Sequence, residues 1–373
     1  MPELRYDTKL LPASLPAYEE AARLLRQGEV VAIPTETVYG LACSAYDPVA
    51  VAKVFHAKGR PQDNPLIVHI ADLSMLPAVA AVIPDTAMAL AKRFWPGPLT
   101  IIFEKTDAVP DAVSAGLHTV AVRMPNHPAA VAVIREAGLP LAAPSANLSG
   151  KPSPTKASHV FDDLYGRIPL VIDGGASEFG VESTVIAVEG ERVRLLRPGA
   201  VTAEDLRSVA AEVVIDEAVL SPLAEGQQVR SPGTKYKHYS PDAHVMIVDA
   251  ALSDYIDYVE RYAIAHPKVR VFGLVFDEDI PSVEGLFPYL AYGSSSKDQA
   301  KDLFECLREL DKLGAETVFA RSPGLDGIGL AVYNRLLRAA GFEVITVEHR
   351  DGSKGDRPDR PDRRGENDSL PRV

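Results

Sequence analysis

Two cations one residue apart stand in Lys58-Gly59-Arg60-Pro61, on a loop stiffened by glycine and proline. Arginine offers a planar two-pronged donor and lysine a point charge, so the pair suits a polyphosphate, although the same residues also suit a charged surface turn. A second polar loop runs from Ala143 to Ser153 behind an apolar strand and offers Ser145, Asn147, Ser149, Lys151 and Ser153. Its plainer reading is a turn held by Asx and serine hydrogen bonds. Arg123 ends the apolar strand 119–124, where a guanidinium must find an anion, either structural or a ligand carboxylate. Arg197 precedes Pro198-Gly199 at a hairpin end, where a solvated side chain is the expectation. His69 within an apolar strand reads first as a satisfied core imidazole. The triplet Glu182-Ser183-Thr184 follows the glycine-rich Asp173-Gly174-Gly175. The usual nucleotide signatures are missing: Gly150-Lys151 is followed by proline, and the lone Gly327-Ile328-Gly329 reads as a helix start.

These side chains need elements to deliver them. Tyr18, Ala21, Ala22 and Leu25 recur at helical spacing behind Ser14 and are closed by Gly28, which predicts a helix over 14–28. The β-branched run 30–33, ended by Pro34, predicts a strand opening onto the polar loop Thr35-Glu36-Thr37-Val38-Tyr39-Gly40. Asp47 and Pro48 cap a helix through His56 that Gly59 and Pro61 stop. Strand signals follow at 66–70, 99–103, 120–124, 141–143, 170–172 and 184–188, with helical stretches at 85–94, 128–137 and 155–164. Glu189-Gly190-Glu191 joins the last of these strands to 193–196 as a hairpin. The pattern predicts an α/β unit with a mixed sheet.

After a Thr202-capped helix over 202–211 the period breaks, and 217–242 reads as a linker. Strands at 244–248, 269–275, 317–320 and 344–347 then alternate with helices at 252–265, 297–313 and 328–340, which predicts a smaller doubly wound domain. From residue 350 onward the chain is nearly devoid of apolar residues and is expected to be disordered.

Composition narrows the function classes. A length of 373 residues predicts two domains, and 46% hydrophobic with 24% charged residues exclude wholesale disorder and a fibrous fold. The longest apolar candidate, Leu76 to Ala91, is interrupted by Pro84 and Asp85, so no membrane span is expected. The acidic N-terminus does not read as a secretory signal. Two cysteines are too few for a disulfide framework or a zinc site, which favours a cytoplasmic setting. The net charge is −12, and residues 241–349 carry 10 basic against 18 acidic side chains, so no stable nucleic-acid binding is expected.

Taken in order, seven motifs resemble the YrdC/Sua5 family of threonylcarbamoyl-AMP synthases. They are Pro34-Thr35-Glu36-Thr37-Val38-Tyr39-Gly40-Leu41, Lys58-x-Arg60 with Asn64-Pro65, Trp95-Pro96-Gly97-Pro98-Leu99-Thr100, Val122-Arg123-Met124-Pro125, Ser145-x-Asn147, Glu182-Ser183-Thr184 and Arg197-Pro198-Gly199. The match spans residues 14–215. The segment from Ser231 to Pro241 and the unit behind it are similar to the long, two-domain form, with Thr234 and Lys237 where the family often has Met and Arg.

The resemblance implies a YrdC-like catalytic domain over 1–216 with a twisted mixed sheet and flanking helices, a linker or lid over 217–242, a Rossmann-like α/β domain over 243–349 and a tail over 350–373. It implies a nucleotidyltransferase that joins L-threonine, bicarbonate or CO2 and ATP into threonylcarbamoyl-AMP and pyrophosphate, feeding N6-threonylcarbamoylation of adenosine 37 in tRNA. Lys58, Arg60, Ser145 and Asn147 would surround the nucleotide phosphates, with Mg²⁺ carried by ATP. Asn64, Thr119, Ser153, Arg197 and Tyr236 match further ATP positions, and Lys235 and Tyr236 would form a lid. Threonine would lie against Thr37, His69, Arg123, Ala143 and Ser183. Hand-off of the product to the tRNA-modifying transferase is a possible partnership. The second domain is expected to serve regulation or docking. A non-catalytic nucleotide- or RNA-binding module of the YrdC type is the alternative. A carbamoyl-transfer maturation enzyme would need zinc-binding cysteine clusters that two cysteines cannot supply.

Overall fold

A computed structural model describes residues 6–62, 64–222 and 239–347. The first unit opens with β1 (Lys9–Pro12), α1 (Leu15–Arg26), β2 (Val31–Ile33), β3 (Gly40–Ser44), α2 (Pro48–Lys58), β4 (Ile67–His69), β5 (Ala80–Val82) and α3 (Asp85–Phe94). It continues through β6 (Leu99–Lys105), α4 (Asp111–Ser114), β7 (Thr119–Arg123), α5 (Pro128–Ala137), β8 (Leu141–Ala142), α6 (Ala157–Leu164) and β9 (Leu170–Asp173). It closes with β10 (Thr184–Glu189), β11 (Arg192–Arg197), α7 (Ala203–Arg207) and β12 (Glu212–Ile215). Its strands form one mixed sheet in the order β1-β9-β2-β3-β8-β4-β7-β6-β10-β11-β12, with β5 paired to β6. The second unit holds β13 (His244–Asp249), α8 (Leu252–Ala265), β14 (Val271–Val275), α9 (Ile280–Val283), β15 (Tyr289–Ala291), α10 (Ser296–Lys312), β16 (Thr317–Arg321), α11 (Gly329–Ala339) and β17 (Val344–Thr346). Its five strands, in the order β15-β14-β16-β13-β17, are all parallel. Most of the expected linker, residues 223–238, and the tail from 348 lie outside the described residues. No helix among the described residues is long and apolar enough to cross a membrane.

Local chemistry sets the element ends that matter. The Asp47 carboxylate accepts from the Val49 amide at the start of α2, and Gly59 takes a left-handed φ of 62° at its end. Lys58 is thereby the last helical residue, and Arg60 begins the loop. Thr202 and Asp205 complete a reciprocal cap on α7, which is shorter than the sequence period suggests. Five strands, β1, β3, β5, β12 and β15, have no counterpart in the sequence pattern. The most consequential is β3, whose Gly-Leu-Ala-Cys-Ser carries no β-branched residue yet is buried throughout. It pairs antiparallel with β2, so the polar loop at 34–39 is a hairpin connection.

The two units share a core. Val38 and Val181, from two loops of the first unit, are buried in the apolar cluster of Leu303, Leu307 and Leu336 on α10 and α11. Arg308 on α10 makes a two-pronged ion pair with Asp163, at 3.0 and 2.8 Å. Gly180 turns with φ 71° directly against the α10 backbone, where a Cβ would meet Lys301 Cα and O at 2.4 Å. Gly180→Ala should therefore destabilise the protein by about 1–3 kcal/mol, from overpacking added to an unfavourable φ. The measurement is the midpoint of denaturant unfolding, and an unchanged midpoint would contradict this packing.

Candidate functional site

The loops after β2, α2, β8 and β9 converge on a cavity of about 770 Å³, its open mouth included. The loop 34–39 is held beside the Ser145-Asn147 loop by main-chain bonds from Ala146 to Tyr39 (2.9 Å) and from Leu41 to Pro144 (2.8 Å). The Tyr39 hydroxyl fixes its far side, donating to the Gly175 carbonyl at 2.7 Å.

Lys58 is buried with its ammonium turned into this wall. It donates to the carbonyls of Ser145 and Asn147, the latter at 2.8 Å, and to Asn147 Oδ1 at 3.3 Å. Burial, with Arg60 adding to it, holds this ammonium well below the usual lysine range. Ser145 Oγ donates to Asn147 Oδ1, and the Ser149 amide donates to the Lys58 carbonyl at 2.9 Å. The lysine of the expected phosphate clamp is thus engaged in shaping the loop that carries Ser145 and Asn147, while Arg60 lines the cavity beside them.

At the other end, Arg123 closes β7 and finds a structural anion. Its Nη2 lies 2.6 Å from Glu36 Oε1, both residues being almost fully buried, while Nη1 donates to Thr37 Oγ1 at 2.8 Å and Nε to the Gly97 carbonyl at 3.2 Å. Burial alone would raise the Glu36 carboxyl, but the Arg123 charge outweighs it and holds the group below its ordinary range. His69 faces the same cavity, its Nδ1 3.1 Å from the Ile67 carbonyl oxygen. Burial, with Arg123 nearby, pushes its imidazole down to about 3, so it is neutral near pH 7 and a poor proton acceptor.

Arg197 is not the solvated residue expected of a hairpin end. Only 5% exposed, it turns inward, and its Nε and Nη2 donate to the Ser183 carbonyl (3.0 Å) and hydroxyl (3.1 Å). Burial pushes it down to about 10, which leaves it charged. Ser183 also meets Thr100 Oγ1 at 2.8 Å.

Of the expected site residues, Lys58, Arg60, Ser145, Asn147 and Arg197 line the cavity together with Thr37, His69, Arg123, Ala143 and Ser183. Three others do not line it. Thr119 opens β7 at the end opposite Arg123. Ser153 is buried and donates to Glu182 Oε1. Asn64 is fully buried just before the lining residues Pro65 and Leu66, and its amide makes no hydrogen bond among the described residues. Lys235 and Tyr236 lie outside the described residues. Sequence reasoning gave no role to Glu36, Tyr39, Glu182 or Tyr239, although each sits inside a quoted motif; the carboxylates Glu36 and Glu182 become visible as partners of the buried Arg123 and Arg335 only when the chain is folded. No cluster of three or more metal-ligating side chains occurs among the described residues.

Two measurements test this geometry. Lys58→Ala should cost about 1–3 kcal/mol of stability, because buried loop carbonyls lose their donor; a lysine serving phosphate alone would leave the unfolding midpoint unchanged. His69 titrates near 6.5 when unfolded and near 3 when folded, so the unfolded chain binds the extra proton between those values. Stability should fall as pH drops through that window, at up to about 1.4 kcal/mol per pH unit from this group. His69→Gln should flatten the slope of unfolding free energy between pH 6 and 4, and an unaltered slope would contradict the buried neutral imidazole.

Comparison with known proteins follows the same division of the chain. A family model described as telomere recombination (Sua5, YciO and YrdC) matches residues 23–199, and one described as the C-terminal domain of threonylcarbamoyl-AMP synthase matches 201–341. The threonylcarbamoyl-AMP synthase of Bacillus subtilis is 45% identical over 91% of this chain and 97% of its own length. That of Pyrococcus abyssi is 43% identical over 88% of this chain and 95% of its own. A Mycobacterium tuberculosis relative, 35% identical, matches only 51% of this chain but 87% of itself. The crystal structure of P. abyssi Sua5 complexed with L-threonine superposes with a TM-score of 0.85 at 41% identity, covering 91% of this chain and 99% of that one. Fold, loop architecture and similarity along both units agree: the chain belongs to the two-domain Sua5 family of threonylcarbamoyl-AMP synthases.

Proposed function

We propose that the chain makes threonylcarbamoyl-AMP and pyrophosphate from L-threonine, bicarbonate or CO2, and ATP, in the cytoplasm, as the step that supplies N6-threonylcarbamoylation of adenosine 37 in tRNA. The observation that carries this reading is one cavity with two chemically different ends. Arg60, Arg197 and the Ser145-Asn147 loop line it together with Thr37, His69, Arg123, Ala143 and Ser183. The first set suits a polyphosphate and the second a small amino acid. Arg123 donates to Thr37 and Gly97 and is ion-paired with Glu36, and its further N–H groups would serve a ligand carboxylate.

The chemistry needs no covalent enzyme intermediate. The threonine amine captures CO2 and loses a proton, giving a carbamate. A carbamate oxygen then forms a bond to the α-phosphorus as the bond to the β-phosphate oxygen breaks, and pyrophosphate leaves with the electron pair. The protein's part is to hold both reactants in line and to stabilise the charge gathering on pyrophosphate, which the Arg60 and Arg197 guanidiniums supply. With no cluster of carboxylates among the described residues to ligate it, a Mg²⁺ ion would be held by the ATP phosphates themselves, where it would neutralise phosphate charge. The neutral His69 is a poor general base, and carbamate formation can release its proton to solvent. The product would pass to the transferase that modifies tRNA.

The test is release of pyrophosphate from ATP and Mg²⁺ with bicarbonate, with and without L-threonine, for the wild type and Arg60→Ala. Release should require threonine and collapse in the variant. Serine lacks one methyl, worth about 1–3 kcal/mol, and should be turned over slowly, whereas valine lacks the hydroxyl that a buried polar pocket must satisfy and should be nearly inert. ATP binding without threonine-dependent release would make the chain a nucleotide-binding module, and equal turnover of valine would overturn the threonine end of the cavity.

A further inference from the structure

We propose that Arg335, on α11 of the second unit, is a positioning residue for this site: through Glu182 it fixes the loop that presents Ser183 to the amino-acid substrate. The inference rests on the functional reading above and gives the second unit a direct part in it, where regulation or docking was the expectation from sequence.

Arg335 has no exposed surface. Its Nε donates to Glu182 Oε2 at 2.7 Å and its Nη2 to the Glu182 carbonyl at 3.3 Å, so one guanidinium grips both the side chain and the backbone of that residue. Nη1 donates to Asn334 Oδ1 at 2.8 Å, which fixes the plane of the fork. The other Glu182 oxygen accepts from Ser153. Burial works to raise the Glu182 carboxyl, but Arg335 first and Arg197 second outweigh it. A carboxylate held from both sides leaves the next residue little freedom, and that residue is Ser183, which lines the cavity and is itself gripped by Arg197 and Thr100. The flanking residues are pinned by the same unit, Gly180 against the α10 backbone and Val181 in its apolar core. The Arg335 guanidinium also lies 5.8 Å from the centre of the Tyr239 ring, and Tyr239 lines the same cavity.

A pair that merely glued the units together would change stability without changing substrate affinity. The test therefore reads L-threonine affinity, by calorimetry without ATP and by the KM for threonine in pyrophosphate release, beside the unfolding midpoint. Arg335→Met strands a buried carboxylate, so the double variant Glu182→Gln/Arg335→Met, with neither charge, carries the comparison if the single variant does not fold. Both should bind threonine about tenfold or more weakly, and Arg335→Lys, which keeps the charge but not the fork, should fall between them and the wild type. A folded variant that binds threonine as the wild type does overturns the inference and leaves the functional reading intact. A wild-type chain that neither binds threonine nor depends on it for release overturns the functional reading first, and this inference with it.

Discussion

The site is governed by the cost of burying positive charge before a negative ligand arrives. Lys58, Arg123 and Arg197 are each 5% exposed or less, yet all line one cavity. An uncompensated buried ion costs several kcal/mol, so each cation must have its own oxygen partners in the empty protein. The three solutions differ. Lys58 takes carbonyls and an amide oxygen of the Ser145-Asn147 loop, Arg123 takes the Glu36 carboxylate, and Arg197 takes the carbonyl and hydroxyl of Ser183. Because the partners belong to loops, satisfying the cations and shaping the cavity are one process, and the loops are set before substrate binds.

The choice of partner also grades the field along the cavity. A full carboxylate lies 2.6 Å from Arg123, whereas Arg197 and Lys58 donate to neutral loop oxygens, which leave more of their charge uncancelled at short range although Glu182 acts on both. A ligand with several negative charges is drawn to the dipole-compensated end. A zwitterion with one carboxylate fits the end where Glu36 offsets the Arg123 charge. On the proposed reading, two types of compensation would orient two substrates in one continuous space.

Much of this was legible in the sequence because local chemistry enforces it. The caps of α2 and α7, the apolar strands and the residues Lys58, Arg123 and Ser145 are signalled by spacing and by polar groups at strand ends. What escaped was set by long-range contact. β3 carries no strand-like residues and is a strand because β2 and β8 flank it. The exposure expected of Arg197 failed because Ser183, on the neighbouring β10 side, offers it two acceptors. Thr119 and Arg123 share a strand, but the sequence cannot say that only one end of it meets the cavity. The partners of Arg123 and Arg335 are 87 and 153 residues away, beyond any local pattern, as the separation of Arg335 from Glu182 shows most plainly.

The same reasoning explains why two units are needed around one cavity. The site loops carry apolar residues, Val38 and Val181, between the polar ones that face the ligand. Both are buried in the apolar cluster of α10 and α11, Val38 while also lining the cavity. Glu182 adds a charge contact between the units, since its buried carboxylate, lowered by the nearby Arg197 of the first unit, is also ion-paired with Arg335 of the second. In this chain the second unit is part of the wall that makes the cavity a site, and its packing and its charge pair act on the same short loop.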